Sequence, residues 1–253
     1  MTGVFRRFAA RHLDAVRVSL RGLPDRAGSS GPFVVYANHP SWWDAAAYVL
    51  LADAYFRDTR AFAPIDAEML AKYGVFGRMG AFGVDLHTPR GAAAFLAASA
   101  DVLSAPDRSL WVAAQGRFVD PRVRPPGLKP GVSRLAEIAP DAVFLPLALE
   151  YPFWTERGAE LLAAFGPPVA GAELAALSRD ARLARMERDL AATMDRLAED
   201  AVSRDPSRFV TLQRGRAGVG GFYDLWRRAK AMAAGRPFDP AHMRDPHMQD
   251  RGP

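Results

Sequence analysis

The chain has 253 residues, 49% hydrophobic and 24% charged, which is enough for one substantial core and sets a folded protein, not a disordered one, as the expectation. It has no cysteine, which excludes disulfides, thiolate metal sites and a cysteine nucleophile. The net charge is +5, but the 33 basic residues include only three lysines, Lys72, Lys129 and Lys230, a bias that reflects genome composition more than a ligand, so nucleic acid is not an expected partner.

The first 22 residues have a helical period. Phe5, Phe8, Ala9, His12, Leu13, Val16 and Leu20 share one face of a wheel, and Arg6, Arg7, Arg11, Asp14, Arg17 and Arg21 take the other. The pattern predicts an amphipathic helix over 1–22. It has two readings, a helix lying in the headgroup plane of an anionic membrane or one packed on the protein's own core. Gly22-Leu23-Pro24 stops this helix, and a Gly/Ser/Pro loop over 28–32 feeds the apolar run Phe33-Val34-Val35-Tyr36, read as a strand.

A helix that includes Ala45 to Ala54 follows, then a strand over 59–64, a helix around 67–73 and a turn-rich segment over 74–83 leading to Val84-Asp85-Leu86. Next come a helix from about Arg90 to Leu103, a buried strand Ser109 to Ala113, the loop Gln115 to Gly127, a helix from about Gly131 to Ile138 and a strand Ala142 to Leu149. Alternating strands and helices predict an α/β class with a twisted, mostly parallel sheet flanked by helices, the core spanning 31–170.

From about Glu173 to Asp200 the pattern predicts one long helix whose Leu174, Leu177, Leu183, Met186, Leu190, Met194 and Leu197 form a packing stripe. Residues 171–253 as a whole read as a helical, basic extension of a single domain. Between Pro206 and Phe238, seven basic residues face one acid, Asp224, interleaved with Phe209, Phe222, Tyr223 and Trp226. That mixture suits either a lipid headgroup region or a solvated terminal helix.

The segment Asn38-His39-Pro40-Ser41-Trp42-Trp43-Asp44, directly after the first core strand, carries the chemistry. Were all of 39–44 helical, His39 and Asp44 would stand about 140° apart around the axis, so no single face could present both. The residue before a proline is biased to extended backbone, and Ser41 with Asp44 has the S-x-x-D form that opens helices. The expected arrangement is therefore strand, turn bearing His39, then helix from about Ser41. There Asp44 can reach back to His39 Nδ1, set the tautomer and leave Nε2 to take a proton from a hydroxyl.

At these residues the chain resembles the glycerolipid acyltransferase family related to lysophosphatidate acyltransferases, whose signature is N-H-x-S-x-x-D after a buried strand. Asn38, His39, Ser41 and Asp44 match all its fixed positions. Further blocks follow in order over roughly 31–150. Gly80 to Leu86 resembles the second block, with Leu86 where arginine is expected and Arg90 as a substitute. Val112 to Arg117 resembles F-P-E-G-T-R with Gln115 replacing glutamate; Leu128 to Gly131 resembles a lysine-glycine turn, and Val143 to Leu147 an apolar strand with a central proline.

The resemblance implies transfer of a fatty acyl group from acyl-CoA or acyl carrier protein to a hydroxyl of a lipid acceptor, with His39 as general base oriented by Asp44 and no bound cofactor or metal. It implies substrate binding at Arg90, Gln115, Gly116 and Arg117, the last reading equally as part of an exposed Pro-rich basic loop. The Gly116 N–H, beside a strand end, is a candidate oxyanion donor, and Trp42 and Trp43 read either as walls of an acyl channel or as plain core aromatics. Arg122 and Arg124 read as an exposed basic loop. Loss of one arginine and one carboxylate argues against glycerol-3-phosphate-type acceptors, because leucine cannot offer a bidentate fork to phosphate.

A serine hydrolase is disfavoured by the absence of a G-x-S-x-G elbow, and a zinc hydrolase by the wide spacing of His12, His87, His242 and His247. The rival from another class is a membrane-associated lipid-binding protein on the same scaffold without turnover. With no run of eighteen apolar residues and no signal-like N-terminus, the expected location is cytoplasmic, peripheral on the inner face of the cell membrane.

Overall fold

The computed structural model describes residues 2–26, 28, 29, 31–85, 88–215 and 232. It is a mixed α/β architecture with a mostly parallel central sheet flanked by helices. In chain order the main elements are α1 (Thr2–His12), β1 (Leu13–Ser19), β2 (Phe33–Ala37), α2 (Asp44–Tyr55), β3 (Arg60–Asp66), α3 (Ala67–Lys72), β4 (Ala81–Val84) and α4 (Pro89–Leu103). They continue with β5 (Arg108–Ala113), α5 (Pro130–Ser133), α6 (Leu135–Ile138), β6 (Val143–Glu150), β7 (Ala159–Phe165), β8 (Val169–Ala170), α7 (Gly171–Ala175), α8 (Arg179–Ser203) and β9 (Phe209–Arg214). The strand order is β4-β3-β5-β2-β6-β7-β1-β9, with β8 beside β6.

Alternate residues of the central strands feed two cores, as a period of two requires. Val34, Tyr36, Leu110, Val112 and Phe144 pack with α8 residues Met186, Leu190, Met194 and Leu197 on one face. Phe33, Val35, Ala37, Trp111, Leu145 and Leu147 pack with Ala9 of α1 and with Ala47, Leu50 and Leu51 of α2 on the other. The strands β2, β5 and β6 run parallel and in register, so that Ala37 is level with Ala113 and Leu147. Their C-terminal ends form one edge, the usual place for a site in such sheets.

Several expectations change. The helix predicted over 1–22 ends at His12, and Leu13–Ser19 is a strand between β7 and β9. The wheel placed Arg17 on a solvent face, whereas Arg17 is buried and its Nε donates to Glu160 Oε2 at 2.7 Å, with Nη1 donating to Thr211 Oγ1 at 2.7 Å. An arginine satisfied this way can occupy an inner strand, so its charge is no guide to exposure.

The predicted helix 173–200 is broken. Ser178 caps α8 by accepting from Ala181 N–H, and the buried Arg182 donates to the carbonyls of Leu174, Ala175 and Leu177, the freed acceptors at the end of α7. The segment 171–253, expected as a helical basic extension, also contributes the edge strand β9; its basic aromatic part beyond 215, including Phe222, Tyr223, Asp224 and Trp226, with His242 and His247, lies outside the described residues, as do Leu86 and His87. Strand β7 had no counterpart in the sequence reading: Ala159–Phe165 is built of Ala, Glu, Leu and Phe, mostly helix formers, and burial between β6 and β1 overrides that propensity. Among the described residues no helix is long and apolar enough to cross a membrane.

Candidate active site

The site begins where β2 ends. The buried Asn38 donates through Nδ2 to the Leu149 carbonyl at 3.0 Å and accepts the Leu149 N–H at 2.8 Å, extending the β2–β6 pairing past Ala37 with a side chain. The next residue turns away from the sheet. The His39 N–H donates to Gln115 Oε1 at 2.7 Å, and its carbonyl accepts from the Val119 N–H at 3.0 Å, so the loop after β5 holds this backbone from both sides.

Helix α2 starts at Asp44, three residues later than the capping-box reading placed it. Ser41 organises the intervening turn: its carbonyl accepts from Asp44 N–H at 3.1 Å, and its Oγ accepts from Trp43 N–H at 3.2 Å. Asp44 Oδ2 lies 3.4 Å from the Ser41 N–H. His39 is thus outside the helix and Asp44 in its first turn, as the spacing demands.

His39 Nδ1 and Asp44 Oδ2 are 2.6 Å apart. The carboxylate side chain is 1% exposed and the imidazole 23%. The second carboxylate oxygen, Oδ1, accepts from the Tyr151 phenol at 2.7 Å. Burial raises the Asp44 pKa from its ordinary value, and the hydrogen bonds from His39 and Tyr151 oppose that shift by favouring the anion. The Tyr151 and Tyr48 phenols are pushed well above the usual range, chiefly by burial and also by the Asp44 charge, so both remain protonated. With Nδ1 donating to a carboxylate, the neutral ring carries its lone pair on Nε2, which has no hydrogen-bond partner among the described residues.

The other predicted residues divide. Gln115 and Gly116 reach the site, but in supporting roles. The buried Gln115 spends its oxygen on the His39 N–H and its Nε2 on the Pro126 carbonyl. Gly116 sits at φ 61°, and its N–H donates to the Ala113 carbonyl at 3.0 Å, so the expected oxyanion donor is already engaged. The Lys129 side chain lies across Gly116, where an added Cβ would come within 3.0 Å of Lys129 Cγ.

Arg117 is exposed beside Phe118, whose ring stands 4.4 Å from that of His39. Neither Arg117 nor Lys129 has a carboxylate partner among the described residues, whereas Arg122 is held by Asp120 and Arg124 by Asp195. Arg90 is exposed in the first turn of α4, which follows β4, three strands from β2 in the sheet order. Trp42 and Trp43 precede α2 instead of lying on it. They stack on each other at 4.8 Å, with Trp42 62% exposed and Trp43 half-buried against the core.

Tyr151, Tyr48 and Phe118 were missed by sequence reasoning. Tyr151 stands 107 positions from Asp44 and carries no local signal; Tyr48 could have been noticed at i+4 from Asp44 on one helix face. No family model matches the chain, and no curated protein matches it either.

Proposed function

We propose that the protein is an O-acyltransferase that moves a fatty acyl group from acyl-CoA or acyl carrier protein to a hydroxyl of a lipid-like acceptor. The observation that carries this is the 2.6 Å contact between His39 Nδ1 and the buried Asp44, in a partly exposed imidazole whose Nε2 has no hydrogen-bond partner among the described residues, just past the C-terminal end of β2. The resemblance of Asn38, His39, Ser41 and Asp44 to the N-H-x-S-x-x-D signature supplies the reaction class.

In this reading the acceptor O–H gives its proton to His39 Nε2 as its oxygen attacks the thioester carbonyl. The tetrahedral intermediate collapses, the C–S bond breaks and the leaving thiolate takes the proton from His39, so no net proton is gained or lost. Asp44 stabilises the imidazolium between the two transfers. Arg117 and Lys129 offer cationic contacts at the edge of the site for anionic groups of donor or acceptor. With Gln115 committed to the backbone, a neutral or glycosylated lipid alcohol is the favoured acceptor over lysophosphatidate. The accompanying location is the cytoplasm, peripheral on the inner face of the cell membrane.

The test is release of free thiol from acyl-CoA and acyl carrier protein in the presence of a panel of lipid alcohols and lysophosphatidate. His39→Ala is expected to lower transfer by about 10²-fold or more while the melting curve stays near wild type. Transfer within a few-fold of wild type removes His39 from the role of base. Stoichiometric lipid binding with no thiol release favours a binding protein on the same scaffold.

A further inference from the structure

Of the aromatic side chains beside the His39 turn, Trp42 faces outward, backed by Trp43, which is half-buried against the α1/α2 side of the core. Trp42 stacks on Trp43 at 4.8 Å, and Phe8 of α1 adds to the stack at 5.0 Å from Trp43 and 6.1 Å from Trp42. Phe8 also meets His12 at 4.7 Å. Trp42 is 62% exposed and Phe8 36%. A contiguous cluster of exposed rings is costly in water and marks an interaction surface.

Helix α1 carries Arg6, Arg7, Arg11 and no acidic residue. Arg6 is neutralised by Asp53 of α2, but Arg7 donates only to the Gly3 carbonyl, and Arg11 has no partner among the described residues. The inner face of the helix is spent on the protein, since Ala9 is buried in the core. What remains is tryptophan and phenylalanine with unneutralised arginines alongside, the combination that settles at the headgroup level of an anionic bilayer.

We propose that Phe8, Trp42, Trp43, Arg7 and Arg11 form the surface by which the protein docks on an anionic lipid bilayer, placing the turn that bears His39 at the headgroup boundary. Trp42 and Trp43 lie between His39 and Asp44 in the chain, so the docked rings and the proton-accepting group share one turn. The benefit of this placement rests on the acyl-transfer reading; the docking surface itself rests on the rings and the arginines. The docking face lies at the rim of the candidate site and not along the Phe5 to Leu20 face of the N-terminal segment, where Ala9, Leu13 and Val16 are buried and 13–19 is strand.

Co-sedimentation of the full chain with vesicles of phosphatidylcholine alone, or mixed with phosphatidylglycerol, tests it. Wild type is expected to bind the mixed vesicles preferentially. The Phe8→Ser/Trp42→Ser variant is expected to lose binding about tenfold or more, because the substituted rings supply the apolar part. Arg7→Gln/Arg11→Gln should lose the preference for phosphatidylglycerol. Val202→Ser on α8, 83% exposed on the opposite face of the sheet, should bind as wild type.

A wild type that binds neither vesicle overturns the proposal, as does a ring variant that binds undiminished or an arginine variant that keeps the preference. Thiol release from acyl-CoA in detergent solution, measured on the same preparations, separates the two readings. Vesicle binding without thiol release sinks acyl transfer and leaves docking standing. Thiol release by a protein that binds no vesicle does the reverse.

Discussion

The Tyr151 phenol donates to Asp44 Oδ1 at 2.7 Å while His39 holds Oδ2, so a carboxylate with almost no exposure has both oxygens satisfied. The tyrosine comes from just beyond the end of β6 and the aspartate from the first turn of α2, and the parallel register of β2 with β6 brings the two together. A hydrogen bond to an ionised group is worth about 1.5–3 kcal/mol. Its removal should be felt at the histidine.

Tyr151→Phe is therefore expected to raise the Asp44 pKa further, because burial still disfavours the anion and one of the bonds opposing burial is gone. The ionised Asp44 that orients His39 then forms only at higher pH. The acid limb of the rate profile should move up in pH. A pH–rate profile, or histidine titration followed by NMR, checks this; an unmoved acid limb assigns Tyr151 a packing role only.

Gln115→Glu should destabilise the fold even though it restores the glutamate implied by the family resemblance. A carboxylate can still accept from the His39 N–H, but it cannot donate to the Pro126 carbonyl and would bring a buried charge toward that oxygen. A loss of about 1–3 kcal/mol is expected from the unsatisfied group. Urea unfolding measures it, and a variant as stable as wild type would mean that the amide donor contributes nothing.

Gly116→Ala is expected to cost about 1–2 kcal/mol, because the backbone is left-handed there at φ 61°. Lys129 must also shift from its place across the glycine. If the Lys129 ammonium serves an anionic group of a substrate, KM for that substrate should rise more than kcat falls. Steady-state kinetics alongside thermal melting separates the two effects.

Asp14 on β1 has its pKa raised from 3.8 to about 7, first by burial, then by a hydrogen bond to Glu160 and by the charges of Glu160 and Glu156, against the pull of Arg17. The folded protein keeps a proton that the unfolded chain releases near pH 4. The stabilisation from this group is full below that pH, is lost as pH rises to about 7, and is level above. Asp14→Asn, which cannot ionise, should therefore gain melting temperature relative to wild type between pH 4 and 7 and hold a constant difference at higher pH. A difference independent of pH over that window would show that Asp14 titrates normally.

Local physics made the centre of this protein legible from its residues. A five-residue interval between His39 and Asp44 cannot fit one helical face, and Pro40 disfavours helix at His39, so strand, turn and helix were implied before any contact was known. The alternation that defines the α/β class and the Leu/Met stripe of α8 were legible for the same reason, since periodicity is written within one segment.

What the tertiary structure alone decided depends on neighbours distant in sequence. β1 reads as a continuation of α1 until β7 and β9 cover its two edges and Glu160 neutralises Arg17. β7 has the composition of a helix and becomes a strand because both its faces are buried. The engagement of Gln115 and Gly116, and the hold of Tyr151 on Asp44, were set by which strand ends the sheet places side by side. Hydrogen-bond satisfaction of buried groups is a property of the assembled sheet edge, and short-range spacing carries no record of it.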